Sequence, residues 1–429
     1  MRPDFRKTQP AILPVSPGRL PEAGKFLLDN NVPVYTIEAG SEDLMKLEFI
    51  FNAGQVSEKT PLVSSTTNMM LSEGTENYTA DSLNHTLDFY GTFLSMNAEK
   101  DAAGLSILFI TRHLEKIIEL CSEILIHPIF PEEELDSLMK KRLQWFTLER
   151  EKVHIIATDQ FFESIFGSNH PYGRKVIADD FTGIKREFLI DFHEENYSIP
   201  GMTIIAAGKI PDETRSLLNR YFGMPSVKNN SVSKSNIIPV GRKIKKIHLI
   251  RNDAVQSAIR IGSSTINKRD PDYPGLKVMD TILGGFFGSR LMKNIREKKG
   301  FTYGISSSVI SFDLSGYKVI ATEVGKEYTS QTLNEIYNEI LNLQKYPVEK
   351  DELNLVRNFM LGEMVRMFDG PFARSESFRA AWEFGLDNTY YYRLAQKIKT
   401  IEPDEIIHLA KTYYNIDELY EIVVGPECK

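Results

Sequence analysis

"LIDFHEENYSIPGMTIIAAG" (residues 189–208) and "IIHLAKTYYNIDELYEIVVG" (residues 406–425) repeat one pattern 217 residues apart, without a gap. Each copy predicts an amphipathic helix, a turn and a short strand that ends in glycine. The aligned pairs are Leu189 with Ile406, Phe192 with Leu409, Tyr197 with Tyr414, Met202 with Leu419, Ile205 with Ile422 and Gly208 with Gly425. A shared pattern of this length suggests that the chain contains a duplication.

A second repeated pattern lies upstream of the first. Residues 113–143 contain two helical patterns separated by Phe130 and Pro131, and residues 332–361 contain two separated by Tyr346 and Pro347. The two prolines are 216 residues apart, which is nearly the spacing of the first repeat. This spacing is far longer than the period of solenoid repeats. The two patterns together therefore predict duplicated halves.

The segment between the halves has the composition of a linker. Residues 224–243 are polar, rich in Ser and Asn, and show no helical periodicity. We therefore predict an N-terminal half over residues 1–225 and a C-terminal half over residues 240–429, each long enough for its own core. Strand patterns mixed with long helical patterns predict an α+β or α/β class for each half. These strand patterns are residues 46–54, 105–110 and 257–266.

Composition and charge narrow the classes of partner. The chain has 429 residues, of which 42% are hydrophobic and 25% charged, and its net charge is −7, which argues against nucleic acid. The basic run at residues 241–251 alternates Ile with Lys and predicts a half-exposed strand. No apolar stretch approaches the ~18 residues of a membrane span, so we expect no membrane partner.

The cysteines and the N-terminus predict the compartment. Cys121 and Cys428 form neither a disulfide framework nor a Cys-x-x-Cys motif, which is typical of a reducing compartment. Residues 1–18 carry charges and prolines where a signal peptide would have an apolar run. We therefore expect a cytoplasmic protein.

The stretch "PLVSSTTNMMLSEGTENYTADSLN" (residues 61–84) begins like a helix that carries a metal site, but it offers no usual ligand set. A metal on one helix face takes ligands at positions i and i+4. A zinc protease adds a carboxylate that accepts a proton from the metal-bound water, as in His-x-x-Glu-His. The eight His of this chain are scattered, and His193 predicts a solvated helix surface rather than a ligand.

Six segments, in order along nearly the whole chain, carry a family resemblance. They are "MMLSEGTENYTADSLNHTLDFYGTFLSMNA" (69–98), "HPIFPEEEL" (127–135), "HPYG" (170–173), "FHEENYSIPGMTIIAAG" (192–208), "GGFFGSRLMKNIREKKGFTYGISS" (284–307) and "VVGP" (423–426). With these, the chain resembles the pitrilysin/insulinase (M16) family of zinc peptidases, which includes the mitochondrial processing peptidases. The resemblance implies a ferredoxin-type duplication, with a mainly antiparallel sheet packed with helices in each half.

The resemblance also implies where a zinc motif would lie. The two His positions fall on Ser65 and Met69, and the Glu position falls on Asn68. The third ligand falls on or near Trp145, and its supporting Glu falls on Leu138. Ser and Met are poor zinc ligands and Trp has no acceptor. We therefore expect no metal and no cofactor in this chain.

The second half retains family residues that the first half has lost. In this family an Arg and a Tyr of the second half reach the scissile peptide, and these match Arg296 and Tyr303. Both can donate hydrogen bonds to the charge that develops on a carbonyl oxygen. Alternatively, Arg296 belongs to a basic helix end and Tyr303 is a half-buried strand residue. Asn97 and Ala98 resemble the family's edge-strand element beside the substrate backbone.

Three functions follow from the resemblance. In some family members one subunit carries the zinc motif and the other lacks it but keeps the Arg/Tyr pair. We predict such a non-catalytic subunit, with a zinc-motif-bearing M16 subunit as partner, zinc only in that partner, and a peptide or unfolded protein as substrate. The alternatives are a non-proteolytic structural or binding homologue, including a homodimer, and an active metalloprotease with other ligands.

Overall fold

The computed structural model describes residues 23–224, 240–387 and 389–427. Cys428 and most of the linker-like segment lie outside these ranges. The strands are β1 (Gly24–Leu27), β2 (Pro33–Glu38), β3 (Leu44–Phe51), β4 (Phe93–Ala98), β5 (Ala103–Ile110), β6 (Thr203–Gly208), β7 (Lys246–Ile250), β8 (Gln256–Thr265), β9 (Ile305–Ser311), β10 (Gly316–Gly325) and β11 (Tyr420–Gly425).

The α-helices are α1 (Val63–Met70), α2 (Ala80–Phe89), α3 (Leu114–Ile126), α4 (Glu132–Glu149), α5 (Val153–Phe166), α6 (Ala178–Thr182), α7 (Arg186–Asn196), α8 (Thr214–Phe222), α9 (Tyr273–Asp280), α10 (Thr329–Lys345), α11 (Lys350–Arg366), α12 (Gly370–Trp382), α13 (Tyr390–Thr400) and α14 (Pro403–Tyr413). Two further segments, Thr281–Gly285 and Met292–Lys298, are π-helical. Across the three described ranges, no helix combines the length and the apolar composition needed to cross a bilayer.

The strands form two sheets with the same internal order. The first sheet runs β1-β2-β6-β3-β5-β4 and the second runs β7-β11-β8-β10-β9. Apart from β1, each strand of the first sheet has a counterpart in the second. Each sheet contains one parallel pair, β2 with β6 and β7 with β11, and its other pairs are antiparallel. The predicted α+β class with duplicated, mainly antiparallel halves is confirmed.

The repeat at residues 189–208 and 406–425 corresponds to α7 with β6 and to α14 with β11. Its aligned tyrosines, both buried, make equivalent contacts. The Nδ2 atom of Asn68 on α1 donates to the hydroxyl of Tyr197 over 3.1 Å. The hydroxyl of Tyr414 donates to Oδ1 of Asp280 on α9, also over 3.1 Å. In each half the tyrosine therefore connects the repeat to a helix, namely α1, which follows β3 in the first half, and α9, which follows β8 in the second.

At the glycine that ends each repeat strand, a neighbouring strand approaches too closely to leave room for a side chain. A Cβ atom on Gly208 would lie 2.3 Å from the carbonyl oxygen of Leu44, and the φ angle of Gly208 is +109°. A Cβ atom on Gly425 would lie 2.5 Å from the Oγ atom of Ser257. Only glycine fits such approaches without a shift of the neighbouring strand.

The two halves exchange helices. Helix α5, from the first half of the chain, packs on β8 and β11 of the second sheet through Phe161 and Phe166. Helix α12, from the second half, packs on β2 and β6 of the first sheet through Phe378 and Trp382. Because the apolar face of a sheet must be covered, each half depends on the other to cover one face. The halves are therefore interlocked.

A buried carboxylate also joins the halves. Glu48 on β3 is 3% exposed and lies 2.9 Å from Nζ of Lys46 and 3.4 Å from Nη1 of Arg379 on α12. The hydroxyl of Ser375 donates to the same carboxylate over 3.3 Å. The first sheet and α12 thus share a buried ionic contact as well as apolar packing.

A lysine is buried in the second core. Lys318 on β10 donates from Nζ to the hydroxyl of Ser263, and its Nζ lies 5.3 Å from the ring centroid of Tyr414. Burial lowers the pKa of Lys318 to about 8, against the opposing attraction of Glu418 and Asp280. The folded chain therefore holds this amine less tightly protonated than the unfolded chain does.

We expect Lys318 to make stability depend on pH between about 8 and 10.5. In this window the unfolded state binds more protons than the folded state, so the free energy of unfolding rises with pH. Relative to Lys318→Met, the unaltered chain should gain about 2 kcal/mol between pH 7 and pH 9.5. Urea unfolding of both proteins at the two pH values measures this gain. A difference between them that does not change with pH would contradict it.

Candidate functional site

Helix α1 begins at a strained residue and a buried carboxylate. Leu62, which precedes the helix, has a φ angle of +71°, which is unusual for a bulky residue. The backbone N–H of Ser64 donates to Oε2 of Glu58 over 3.0 Å, and Nη2 of Arg174 donates to Oε1 over 2.6 Å. Burial raises the pKa of Glu58, opposed by these two partners. The carboxylate caps the positive end of α1.

Asn68, the position where the resemblance places the catalytic Glu, is a core residue. Its Nδ2 atom donates to the carbonyl oxygen of Gly104 over 2.8 Å as well as to the hydroxyl of Tyr197. Its side chain thus fastens α1 to β5 and α7. An amide also has no proton-accepting carboxylate, so Asn68 cannot serve as a general base.

The other positions where the resemblance places a zinc motif differ in their exposure. Met69 is 40% exposed and Trp145 is 68% exposed, so both lie at the surface. Leu138 on α4 is partly buried against the first core. Ser65 alone among these positions makes a polar contact across to α4.

That contact is made by Arg142, a residue that the sequence analysis missed. Its Nη2 atom donates to Oγ of Ser65 over 2.8 Å, and its Nη1 atom donates to Oγ1 of Thr66 over 2.6 Å. Arg142 forms no ion pair with any residue in the described ranges. It lies four residues after Leu138 and three before Trp145, so all three share one face of α4. That spacing was a signal available in the sequence.

These residues do not fit a zinc ion. Within the described ranges no group of three or more His, Cys, Asp or Glu converges on one point. Burial lowers the pKa of Arg142, and the charge of Glu58 opposes this shift. The guanidinium stays protonated. A divalent cation ~4 Å from this charge would be repelled by about 8 kcal/mol at an effective dielectric constant of about 20.

Arg296 and Tyr303 lie together on the surface of the second half. The Nε atom of Arg296 donates to the backbone carbonyl oxygen of Tyr303 over 2.9 Å. The guanidinium carbon of Arg296 lies 4.6 Å from the ring centroid of Phe287. Tyr303 is 94% exposed, which excludes the alternative interpretation as a half-buried strand residue, and Phe287 is 58% exposed. The guanidinium is thus held from two sides beside a phenol that faces solvent.

A cavity of about 790 Å³ lies between the halves, and Ser65 and Ala98 line it. Residues 310–313, at the end of β9, line it as well. Tyr303 precedes the other end of β9, so at about 3.3 Å per residue it lies roughly 25 Å from the cavity end of that strand. The Arg296/Tyr303 pair therefore lies roughly 25 Å from the part of the cavity that residues 310–313 line.

Asn97 and Ala98 are the last two residues of β4, the strand at one edge of the first sheet. They pair with Gly104 and Ala103 of β5 on one side. The other side of β4 has no strand partner in the described part of the chain. Free backbone groups at such an edge can pair with an added strand.

The prediction that His193 lies on a solvated helix surface is wrong. Its Nε2 atom lies 2.9 Å from the carbonyl oxygen of Leu125, and its ring stacks on Tyr197 with centroids 5.3 Å apart. Burial lowers the pKa of His193, partly opposed by the hydrogen bond to Leu125. The neighbouring tyrosine of the repeat draws this face of α7 inward, so the residue is structural.

Comparisons of the amino-acid sequence find similarity to M16 proteins. Residues 183–360 match the family profile described as Peptidase M16 inactive domain. An uncharacterized zinc protease of Mycobacterium leprae is 24% identical over 256 residues, which cover 58% of this chain and 56% of that protein. The match thus spans little more than half the length of that relative. The non-peptidase homolog YmxG of Helicobacter pylori is 21% identical over 387 residues, covering 88% of this chain and 87% of that protein.

A solved structure has the same fold. The crystal structure of a peptidase M16 inactive domain from Pseudomonas fluorescens superposes with a TM-score of 0.85 at 21% sequence identity. The alignment covers 94% of this chain and 98% of that one. Both the profile match and this superposition agree with the resemblance drawn from the six segments. Residues 183–360 are therefore similar to the inactive domain of M16 peptidases, and the chain shares its fold with a solved structure of such a domain.

Proposed function

We propose that this chain is the non-catalytic subunit of a heterodimeric M16-type zinc endopeptidase of the cytoplasm. One observation carries the proposal. The first half holds the guanidinium of Arg142 where a zinc motif would lie, while the second half presents Arg296 and Tyr303 to solvent. Zinc would therefore belong to the partner subunit, and this chain would supply donors to the partner's site.

The geometry of the pair suits such a role. The Nε atom of Arg296 is occupied by the carbonyl oxygen of Tyr303, which leaves the two Nη atoms to face an incoming group. The ring of Phe287 restricts the guanidinium further, since a cation over an aromatic face gains about 0.5–1 kcal/mol at an exposed site. Nη donors and a free phenol together can stabilise the oxygen of a tetrahedral intermediate.

The arrangement favours action on a second chain. Tyr303 lies roughly 25 Å along β9 from the cavity that Ser65 lines. Moreover, α1 offers neither a metal site nor a base on which the pair could act. A peptide or unfolded protein substrate would lie along the free edge of β4 at Asn97 and Ala98, as an added strand.

Affinity purification of the tagged chain from its native cells, followed by mass spectrometry, tests the proposal. We expect an equimolar partner that contains the motif His-x-x-Glu-His and cleaves peptides only when this chain is present. A tagged variant with Arg296→Ala and Tyr303→Phe should capture the same partner, because the two substitutions remove hydrogen-bond donors and leave the fold intact. Recovery of a partner without the motif would contradict the proposal.

A second candidate is a non-proteolytic structural or binding homologue, including a homodimer. The observation that favours it is the name non-peptidase homolog, carried by the H. pylori relative at 21% identity. In that case the purification yields no zinc-motif chain, and light scattering of the pure protein gives the mass of two copies. An active metalloprotease with other ligands would instead show stoichiometric zinc in the isolated chain.

A further inference from the structure

We propose that Arg142 takes the place of a metal ion in this chain. Its guanidinium joins α4 to α1 and at the same time keeps divalent cations out of the inherited metal position. The inference goes beyond the proposed function, because it concerns only the isolated chain and holds whichever partner binds.

Arg142 connects α4 to α1 through two hydrogen bonds. A guanidinium has five N–H donors in one plane, and two of them reach adjacent hydroxyls, on Ser65 at 2.8 Å and on Thr66 at 2.6 Å. Hydrogen bonds from a charged donor are stronger than those between neutral groups. A zinc ion bound by two residues of α1 and one of α4 would join the same two helices. Arg142 makes this connection without a metal.

The second part concerns charge. Zinc held by two neutral His and one Glu would bring a local charge of +1, and Arg142 held by two neutral hydroxyls brings the same charge. The acid whose charge acts on Arg142 is Glu58, and Arg174 already pairs with it. The positive charge is therefore not cancelled locally. Within the described part of the chain no carboxylate contacts Arg142, so a Zn²⁺ ion placed beside it would face repulsion that is not offset.

It follows that loss of the ligands is not the only obstacle to zinc binding at these positions. If the ligands were restored and Arg142 were retained, the guanidinium would still compete for the same space. Restoration of a zinc site should require removal of Arg142 as well.

Ligand-restored variants test this directly. Ser65→His, Met69→His and a carboxylate at either Trp145→Glu or Phe146→Glu are combined, once with Arg142 retained and once with Arg142→Ala. We expect about one zinc per chain only where Arg142 is absent. Zinc content is read by elemental analysis, and Co²⁺ is added as a spectroscopic probe of tetrahedral coordination. Stoichiometric metal in both sets, or in neither, would overturn the exclusion.

A second measurement tests the connection in the native sequence. Arg142→Met retains much of the side-chain volume but removes the charge and the donors. Backbone amides of α1 should then exchange with deuterium about tenfold faster, while those of α2 exchange at the same rate. Arg142→Lys retains the charge but cannot reach both hydroxyls in one plane. Its α1 amides should therefore exchange at a rate between those of Arg142→Met and of the unaltered chain. Unchanged exchange in Arg142→Met would overturn the connecting role.

Discussion

Replacement of Arg296 by Ala together with Tyr303 by Phe should lower kcat of the partner complex by about 10²- to 10³-fold. Removal of one oxyanion donor from an acyl-transfer site has effects of this size. KM should change much less, because the two donors act on charge that develops after the substrate has bound. Peptide cleavage by the purified complex, with kcat and KM determined separately, provides the measurement.

A matched pair on another surface serves as the control. Arg366 and Tyr392 are also exposed and belong to the same half, but they lie on α11 and α13. Arg366→Ala with Tyr392→Phe should leave kcat within about twofold of the unaltered complex. Equal values of kcat in all three complexes would show that Arg296 and Tyr303 play no part in the reaction.

Replacement of Glu48 by Ala should lower the free energy of unfolding by about 2–3 kcal/mol. The carboxylate is 3% exposed and lies between Lys46 and Arg379, so its removal leaves these cations only their contacts with the more exposed Glu376, Glu383 and Glu99. Because Arg379 belongs to α12 and Glu48 to the first sheet, the loss falls on the contact between the halves. Urea unfolding followed by circular dichroism measures the change.

The same arginine offers the control for this prediction. Glu99 also lies within reach of Arg379, at 3.5 Å, but its side chain is 62% exposed. A surface ion pair contributes at most about 1 kcal/mol, so Glu99→Ala should be nearly neutral. Similar losses in the two variants would mean that burial of Glu48 does not determine the energy of this contact.

The duplication was accessible from the sequence because it is written in local patterns. The helix and strand before Gly208 and those before Gly425 carry the same apolar spacing, and both copies fold as that spacing predicts. The exchange of α5 and α12 was not accessible. An amphipathic helix pattern shows that a face must be buried, but it does not show which of two similar sheets will cover it.

The candidate site could be predicted only in part. The residue identities at Ser65, Asn68 and Met69, aligned through the resemblance, predict the loss of a zinc motif, and this stays a prediction. The position of Arg142 against α1 depends on how α4 is rotated in the fold, which a sequence does not state. The prediction for His193 was wrong for a similar reason, since the burial of its side chain depends on the ring of Tyr197 beside it.

The zinc content of the purified complex tests the central claim most directly. This chain and its partner, isolated together and analysed for metal and for protein mass, should contain one zinc for every two chains, and this chain alone should contain none. The zinc should leave with the partner when the two are separated. Equimolar zinc in this chain alone, with peptide cleavage that a chelator abolishes, would contradict the account.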